Sequence, residues 1–132
     1  MSVVEMPSIL GDLWAPMPSE WLSEPPPPRE WLLVQTKDQA EDLGVLPRNV
    51  VGMLASAGGV GKTMLVCQLA LLVASGCARP FVGDLVVAPE AQGGRVLLVV
   101  GEEDAAEIRR RVYNAALALR LTPEQRERAI AN

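Results

Sequence analysis

The pattern of apolar and polar positions separates the body of the chain, which starts near Gly44, from what precedes it. Two short apolar runs, 49–55 and 95–100, are rich in β-branched residues and bounded by turn formers, which is typical of buried parallel strands. Residues 62–75 are apolar on nearly every side and are followed by Gly76. This longer run predicts a buried helix that ends in a glycine cap.

Three more elements follow from the same pattern. Residues 84–88 and 95–100 flank the turn-like sequence PEAQGG, which predicts a hairpin. A helix is predicted from Asp104 onward, because apolar residues recur there at helical spacing. A last helix is predicted to begin at Thr122, with Gln125 completing a capping box. The order of strand, loop, helix, strand and helix predicts an α/β architecture with a parallel sheet flanked by helices.

The first part of the chain has a different composition. Its sequence EPPPPRE, residues 24–30, predicts an extended polyproline II segment. Trp21 and Trp31 flank this segment, and we expect it to form a strap that packs both rings on the body. A ligand for a separate protein domain is the alternative. Residues 31–34 predict a short edge strand.

Charge sharpens this division. Residues 1–44 carry 8 acidic and 2 basic residues, a sum of −6, whereas residues 45–132 carry 8 and 10, a sum of +2. We therefore predict an acidic, proline-rich leader over residues 1–43 and a separate body over residues 44–132. The small positive excess of the body does not by itself identify a DNA-binding protein.

Several classes of protein are excluded by composition. The chain has no histidine, so histidine bases and histidine metal ligands are excluded. Cys67 and Cys77 are too far apart for a Cys-x-x-Cys pair, and we expect buried, reduced thiols. The N-terminus is acidic and no apolar run is long enough to span a bilayer, so we predict a cytoplasmic protein without a membrane anchor.

The sequence SAGGVGKT, residues 56–63, carries the most specific chemistry. In a phosphate-binding loop, glycines let backbone N–H groups surround the phosphates, a lysine reaches the β- and γ-phosphates, and a hydroxyl binds Mg²⁺. Lys62 and Thr63 stand at the lysine and hydroxyl positions. Ser56 replaces the first glycine of the usual pattern, which costs little if its φ is negative. The predicted nucleotide contacts are Ser56, Ala57, Gly58, Gly59, Val60, Gly61, Lys62, Thr63 and Met64.

The second apolar run leads into the acidic sequence GEED and then a helix. Together with the loop and its flanks, this stretch resembles the RecA-like P-loop ATPases of the RepA hexameric helicase type, over roughly residues 44–132. In that family a strand ends in Glu-Asp, and a helix with an aliphatic residue and an arginine follows. Ile108 and Arg111 match those two places, which puts Glu102 in the place of the glutamate that polarises the attacking water and Glu103 in the next place. Glu103 is the alternative for the same role.

The resemblance implies an ATPase that uses ATP and Mg²⁺, forms a homo-hexamer and acts on single-stranded DNA. The family's magnesium-binding aspartate and its arginine finger find no match before Asn132. We therefore expect the core to be incomplete in this chain, and the isolated 132 residues to bind nucleotide weakly without turnover. A nucleotide-binding regulatory module without turnover is one alternative. A partition-type ATPase is another, although Ala57 stands where that family has its signature lysine.

Overall fold

The computed structural model describes residues 17–36 and 43–132. The elements in chain order are helix α1 (Glu20–Ser23), strands β1 (Trp31–Gln35) and β2 (Leu43–Pro47), helix α2 (Lys62–Ser75), strand β3 (Leu85–Val87), a 3-10 turn (Pro89–Ala91), and helices α3 (Ala105–Ala118) and α4 (Pro123–Ala131). Among these described residues, none of the helices has the length and apolar character needed to cross a membrane.

The three strands form one antiparallel sheet in the order β2-β1-β3. Strand β1 lies in the middle because its backbone pairs on both sides, and Leu33 and Val34 are buried. The prediction of an edge strand over residues 31–34 is therefore wrong in its position. The ring of Trp31 lies directly on Gly44, where an added Cβ would overlap the ring carbons.

The core lies between this sheet and the second half of α2. Leu33 from β1, Leu72 from α2 and Val87 from β3 pack together in it, and Leu119 and Leu121 close it from the end of α3. Both cysteines are free and buried, as predicted. The sheet thus anchors the far end of α2 and leaves its first turn at the surface of the molecule.

The helix predictions are confirmed in detail. Helix α2 covers the predicted residues, and Gly76 ends it in the left-handed conformation with φ of 66°. Asp104 caps α3 by accepting a hydrogen bond of 2.8 Å from the backbone N–H of Glu107. Thr122 and Gln125 form the predicted capping box at the start of α4.

The two predicted strands over residues 49–55 and 95–100 are not observed. The structure assigns no strand to residues 49–55 or 95–100, so the predicted hairpin with 84–88 is wrong and only β3 forms there, paired with β1. The sheet that the described residues form is antiparallel, and a parallel sheet is not seen. A strand needs partners for its N–H and C=O groups, and among the described residues no strand pairs with either run; the Val96 N–H donates instead to the Asn132 carbonyl at the end of α4.

The leader is exposed where the structure describes it. Residues 24–30 are exposed along their length, α1 buries no residue, and Trp21 is 72% exposed. The predicted strap is therefore wrong for Trp21, although Trp31 does pack on the sheet. The predicted boundary between residues 43 and 44 falls inside β2, and the division into leader and body stays a prediction.

Candidate functional site

The loop before α2 has the backbone geometry that its glycines predict. Gly59 and Gly61 have φ of 76° and 86°, a left-handed region that side chains other than glycine adopt only at a cost. Gly61 is the N-cap of α2, and no side chain caps this helix end. Its free backbone N–H groups and the positive end of the helix dipole therefore face the exposed loop.

Lys62 folds back over the loop. Its Nζ donates hydrogen bonds of 2.9 Å to the carbonyl oxygen of Ser56 and of 2.7 Å to that of Ala57. Both acceptors are exposed to solvent, so an incoming anion can replace them without leaving a buried group unpaired. The ammonium is thus held over the loop, where the sequence predicts phosphate.

Ser56 fits the loop as predicted. Among the described residues, only Asn49 and Arg120 have positive φ without being glycine, so Ser56 takes the bend without strain. A groove of about 400 Å³ opens beside the loop, with Leu54 and Val60 on one side and Leu65 and Gln68 of α2 on the other. The loop therefore has accessible space next to its lysine.

The two candidate carboxylates differ in their surroundings. Glu102 is exposed, whereas the Glu103 side chain is only 19% exposed. Glu103 Oε1 lies 2.8 Å from Nη2 of Arg111, and Glu103 Oε2 is buried without a hydrogen-bond partner among the described residues. Solvent screens this ion pair less than it screens a pair at the surface.

The Glu103–Arg111 pair faces α2. Burial raises the pKa of the Cys67 thiol, the guanidinium of Arg111 acts against this rise, and the carboxylate of Glu103 adds to it. Cys67 itself is fully buried. Cys67 follows Thr63 by four residues, so the two share one face of the helix. Glu103 is thus held by Arg111 of α3, the helix that packs against α2, whereas Glu102 stays in solvent.

The arrangement fits a nucleotide-bound magnesium ion better than an all-protein metal site. The described residues contain no cluster of three or more histidine, cysteine, aspartate or glutamate side chains. Magnesium in nucleotide sites keeps several waters and uses one or two protein ligands together with phosphate oxygens. The Thr63 hydroxyl, in the first turn of α2, provides one such group.

A second, larger groove lies away from the loop. It has a volume of about 1200 Å³ and runs along α3 and α4, where Leu98, Val112, Tyr113 and Ile130 line it. Glu103 borders it, but none of the loop residues does. The loop chemistry therefore belongs to the smaller groove.

The contact between Glu103 and Arg111 is the feature that sequence reasoning missed. From the sequence, Arg111 has a place in a family pattern and otherwise belongs to the basic run 109–111, which predicts a solvated helix face or a DNA or inter-subunit contact. The signal was present in the four-residue spacing of Glu103, Glu107 and Arg111, which puts the last two one helical turn apart.

Comparison with known proteins agrees with the loop geometry. No solved structure matches the chain. The family model of the AAA domain matches the sequence over residues 12–132, which is most of the chain. Domains of this family bind nucleotide and are generally ATPases. The chain therefore belongs to the AAA domain family of P-loop ATPases.

Proposed function

We propose that this chain binds ATP with Mg²⁺ at residues 56–64 and serves as the nucleotide-binding part of a DNA-dependent ATPase. The observation that carries the proposal is the loop itself. Gly59 and Gly61 take left-handed conformations immediately before α2, and Lys62 is held over the same loop. Membership of the chain in the AAA domain family supports the same nucleotide binding.

Each part of the loop has a distinct role in this proposal. Backbone N–H groups of residues 58–61 and the start of α2 bind the phosphate oxygens. Lys62 leaves its two carbonyl partners and stabilises charge on the β- and γ-phosphates, in binding and in the transition state. Thr63 holds the magnesium ion, which when bound neutralises charge on the same phosphates.

Water activation is proposed for the carboxylates after the 95–100 run. The contacts favour Glu103, because it is held beside α2 with one buried oxygen free to accept a hydrogen bond from water. The family register favours Glu102, which is exposed and free to move. Glu103 is our first assignment and Glu102 the alternative.

Within the AAA domain family, we assign the chain to the RepA-like hexameric helicase type, which has a RecA-like parallel sheet. Support for the sheet comes from residues 95–100, where exposed and half-buried positions alternate strictly as they do in a strand. We propose that this run and residues 49–55 pair with further parallel strands in a complete core. The homo-hexamer, the single-stranded DNA partner and the cytoplasmic location are parts of the same proposal.

Calorimetric titration with Mg-ATPγS tests nucleotide binding. Lys62→Ala should abolish measurable binding, because it removes the charged contact to the phosphates. Arg79→Ala is the matched control, since Arg79 is an exposed cation just past α2 and away from the loop. Unchanged affinity in Lys62→Ala would reject the phosphate-loop assignment.

Single-turnover hydrolysis, with the protein in excess over ATP and in a longer chain that completes the core, separates the two carboxylates. The Gln variant of the water-activating residue should keep nucleotide affinity and lose most of the rate. We expect this of Glu103→Gln, and the same behaviour in Glu102→Gln would favour the family register instead. Stimulation by single-stranded DNA supports the helicase type, whereas tight binding without any hydrolysis supports a regulatory module.

A further inference from the structure

Arg111 makes two contacts with carboxylates, and both stabilise one position of its side chain. Its Nη2 lies 2.8 Å from Glu103 Oε1, and its Nε lies 3.2 Å from Glu107 Oε1, within ion-pair distance but without hydrogen-bond alignment. The Arg111 side chain is 29% exposed, so it is largely withdrawn from solvent. A planar guanidinium between two carboxylates has little freedom to rotate.

Glu107 is itself fixed from two sides. Its backbone N–H donates to the capping carboxylate of Asp104, and its carboxylate pairs with Arg110 as well as with Arg111. The start of α3 therefore holds Glu107, Glu107 holds Arg111, and Arg111 holds Glu103. These successive contacts place the Glu103 carboxylate relative to α3.

The other oxygen of Glu103 is the unusual group in this arrangement. It is buried and has no hydrogen-bond partner among the described residues. A buried acceptor without a partner is unfavourable, and such groups in native structures mark a missing water, ion or ligand. One oxygen of Glu103 is thus occupied by Arg111, which lies on the helix that packs against α2, and the other is kept available.

We propose that Arg111 is a positioning residue, which holds Glu103 through one oxygen so that the other orients the attacking water. The inference rests on the proposed function, because it needs nucleotide at the loop. Arg111 itself does not touch nucleotide in this proposal. It acts through Glu103, and Arg110, which is 64% exposed and turned to Glu107 alone, has no such role.

The test compares binding of Mg-ADP with binding of Mg-ADP plus aluminium fluoride, a mimic of the hydrolysis transition state, by calorimetry. Arg111→Gln should leave the Mg-ADP affinity within about twofold and reduce the gain from aluminium fluoride by about tenfold, the size of effect seen when outer partners of a site are removed. Arg111→Lys keeps the charge but loses the planar fork, so it should recover part of the gain. Arg110→Gln should match the wild type.

The outcomes separate this inference from the proposed function. Loss of both affinities in Arg111→Gln and Arg111→Lys would indicate a purely structural role and overturn the inference. An undiminished aluminium fluoride gain in Arg111→Gln would also overturn it, with nucleotide binding at the loop still supported by Mg-ADP. A wild-type chain that binds no Mg-ADP would reject the proposed function and the inference together.

Discussion

Two regions of this molecule have similar apolar sequences and opposite structures. The packed layer, which comprises β1–β3 and the second half of α2, buries Leu33, Leu72 and Val87. The site segments, residues 49–61 and 95–103, are irregular, and large apolar side chains such as Leu97 lie in solvent there. The difference shows that an apolar run becomes a strand or a core only where other residues provide partners for its backbone and its side chains.

The largest contrast is expected in the response to truncated side chains. Leu72 is fully buried and Leu97 is 88% exposed. Leu72→Ala should lower the free energy of unfolding by about 2–5 kcal/mol, because it removes buried contacts and leaves a cavity. Leu97→Ala, the matched control, should change it by less than about 0.5 kcal/mol. Denaturant unfolding checks both values, and equal effects would contradict the division into two regions.

The contact between Trp31 and Gly44 tests the packed layer at its edge. A Cβ on Gly44 would overlap the ring, so Gly44→Ala must displace Trp31 and should cost about 1–3 kcal/mol of unfolding free energy. The cost should shrink when the ring is absent, in the Trp31→Ala background. A double-mutant cycle measures this coupling. Additive effects of the two substitutions would show that the ring does not lie on the glycine.

Within the site segments, two glycines of the loop should respond differently. Gly61 has positive φ, so Gly61→Ala should cost about 1–2 kcal/mol and weaken binding of Mg-ATPγS. Gly58 is not among the glycines with positive φ and has open space around its Cβ position, so Gly58→Ala should leave the unfolding free energy nearly unchanged. Denaturant unfolding and calorimetry of both variants check the loop conformation. Equal losses would contradict it.

The sequence predicts those parts of the fold that depend on neighbouring residues better than those that depend on distant pairing. The bounds of α2, the glycine cap at Gly76 and the caps at Asp104 and Thr122 were predictable, because they depend on residues close to one another in the chain. The central position of β1 was not, since it depends on pairing with β3 about fifty residues away. Local pattern does not contain such pairings.

The candidate site divides in the same way. The loop was predictable from its own eight residues, including a bend at Ser56 without positive φ. The pairing of Glu103, and not Glu102, with Arg111 was not, because it depends on how α3 packs against α2. Packing between helices sets that choice, and neighbouring residues in the sequence do not.

The smallest expected effect concerns pH and the packed layer. Hydrogen bonds from its own backbone N–H and from that of Trp31, 3.1 Å away, lower the pKa of Glu90 below its ordinary value. A lowered pKa contributes stability above the ordinary pKa of glutamate, and this contribution is lost as the pH falls through the lowered value. As the pH is lowered from 7 through the lowered pKa of Glu90, the free energy of unfolding should therefore fall less in Glu90→Gln than in the wild type. Denaturant unfolding across that range checks it, and identical slopes would contradict the contact.

Hydrogen exchange measured by mass spectrometry, with and without Mg-ATPγS, tests the central claim that the exposed loop is the nucleotide site. The account predicts clear slowing in peptides that cover residues 54–68 and weaker slowing around residues 101–107. Peptides from β1 and β3 should not change, and Lys62→Ala should abolish the effect. Slowing confined to the packed layer, or none at the loop despite bound nucleotide, would contradict the claim.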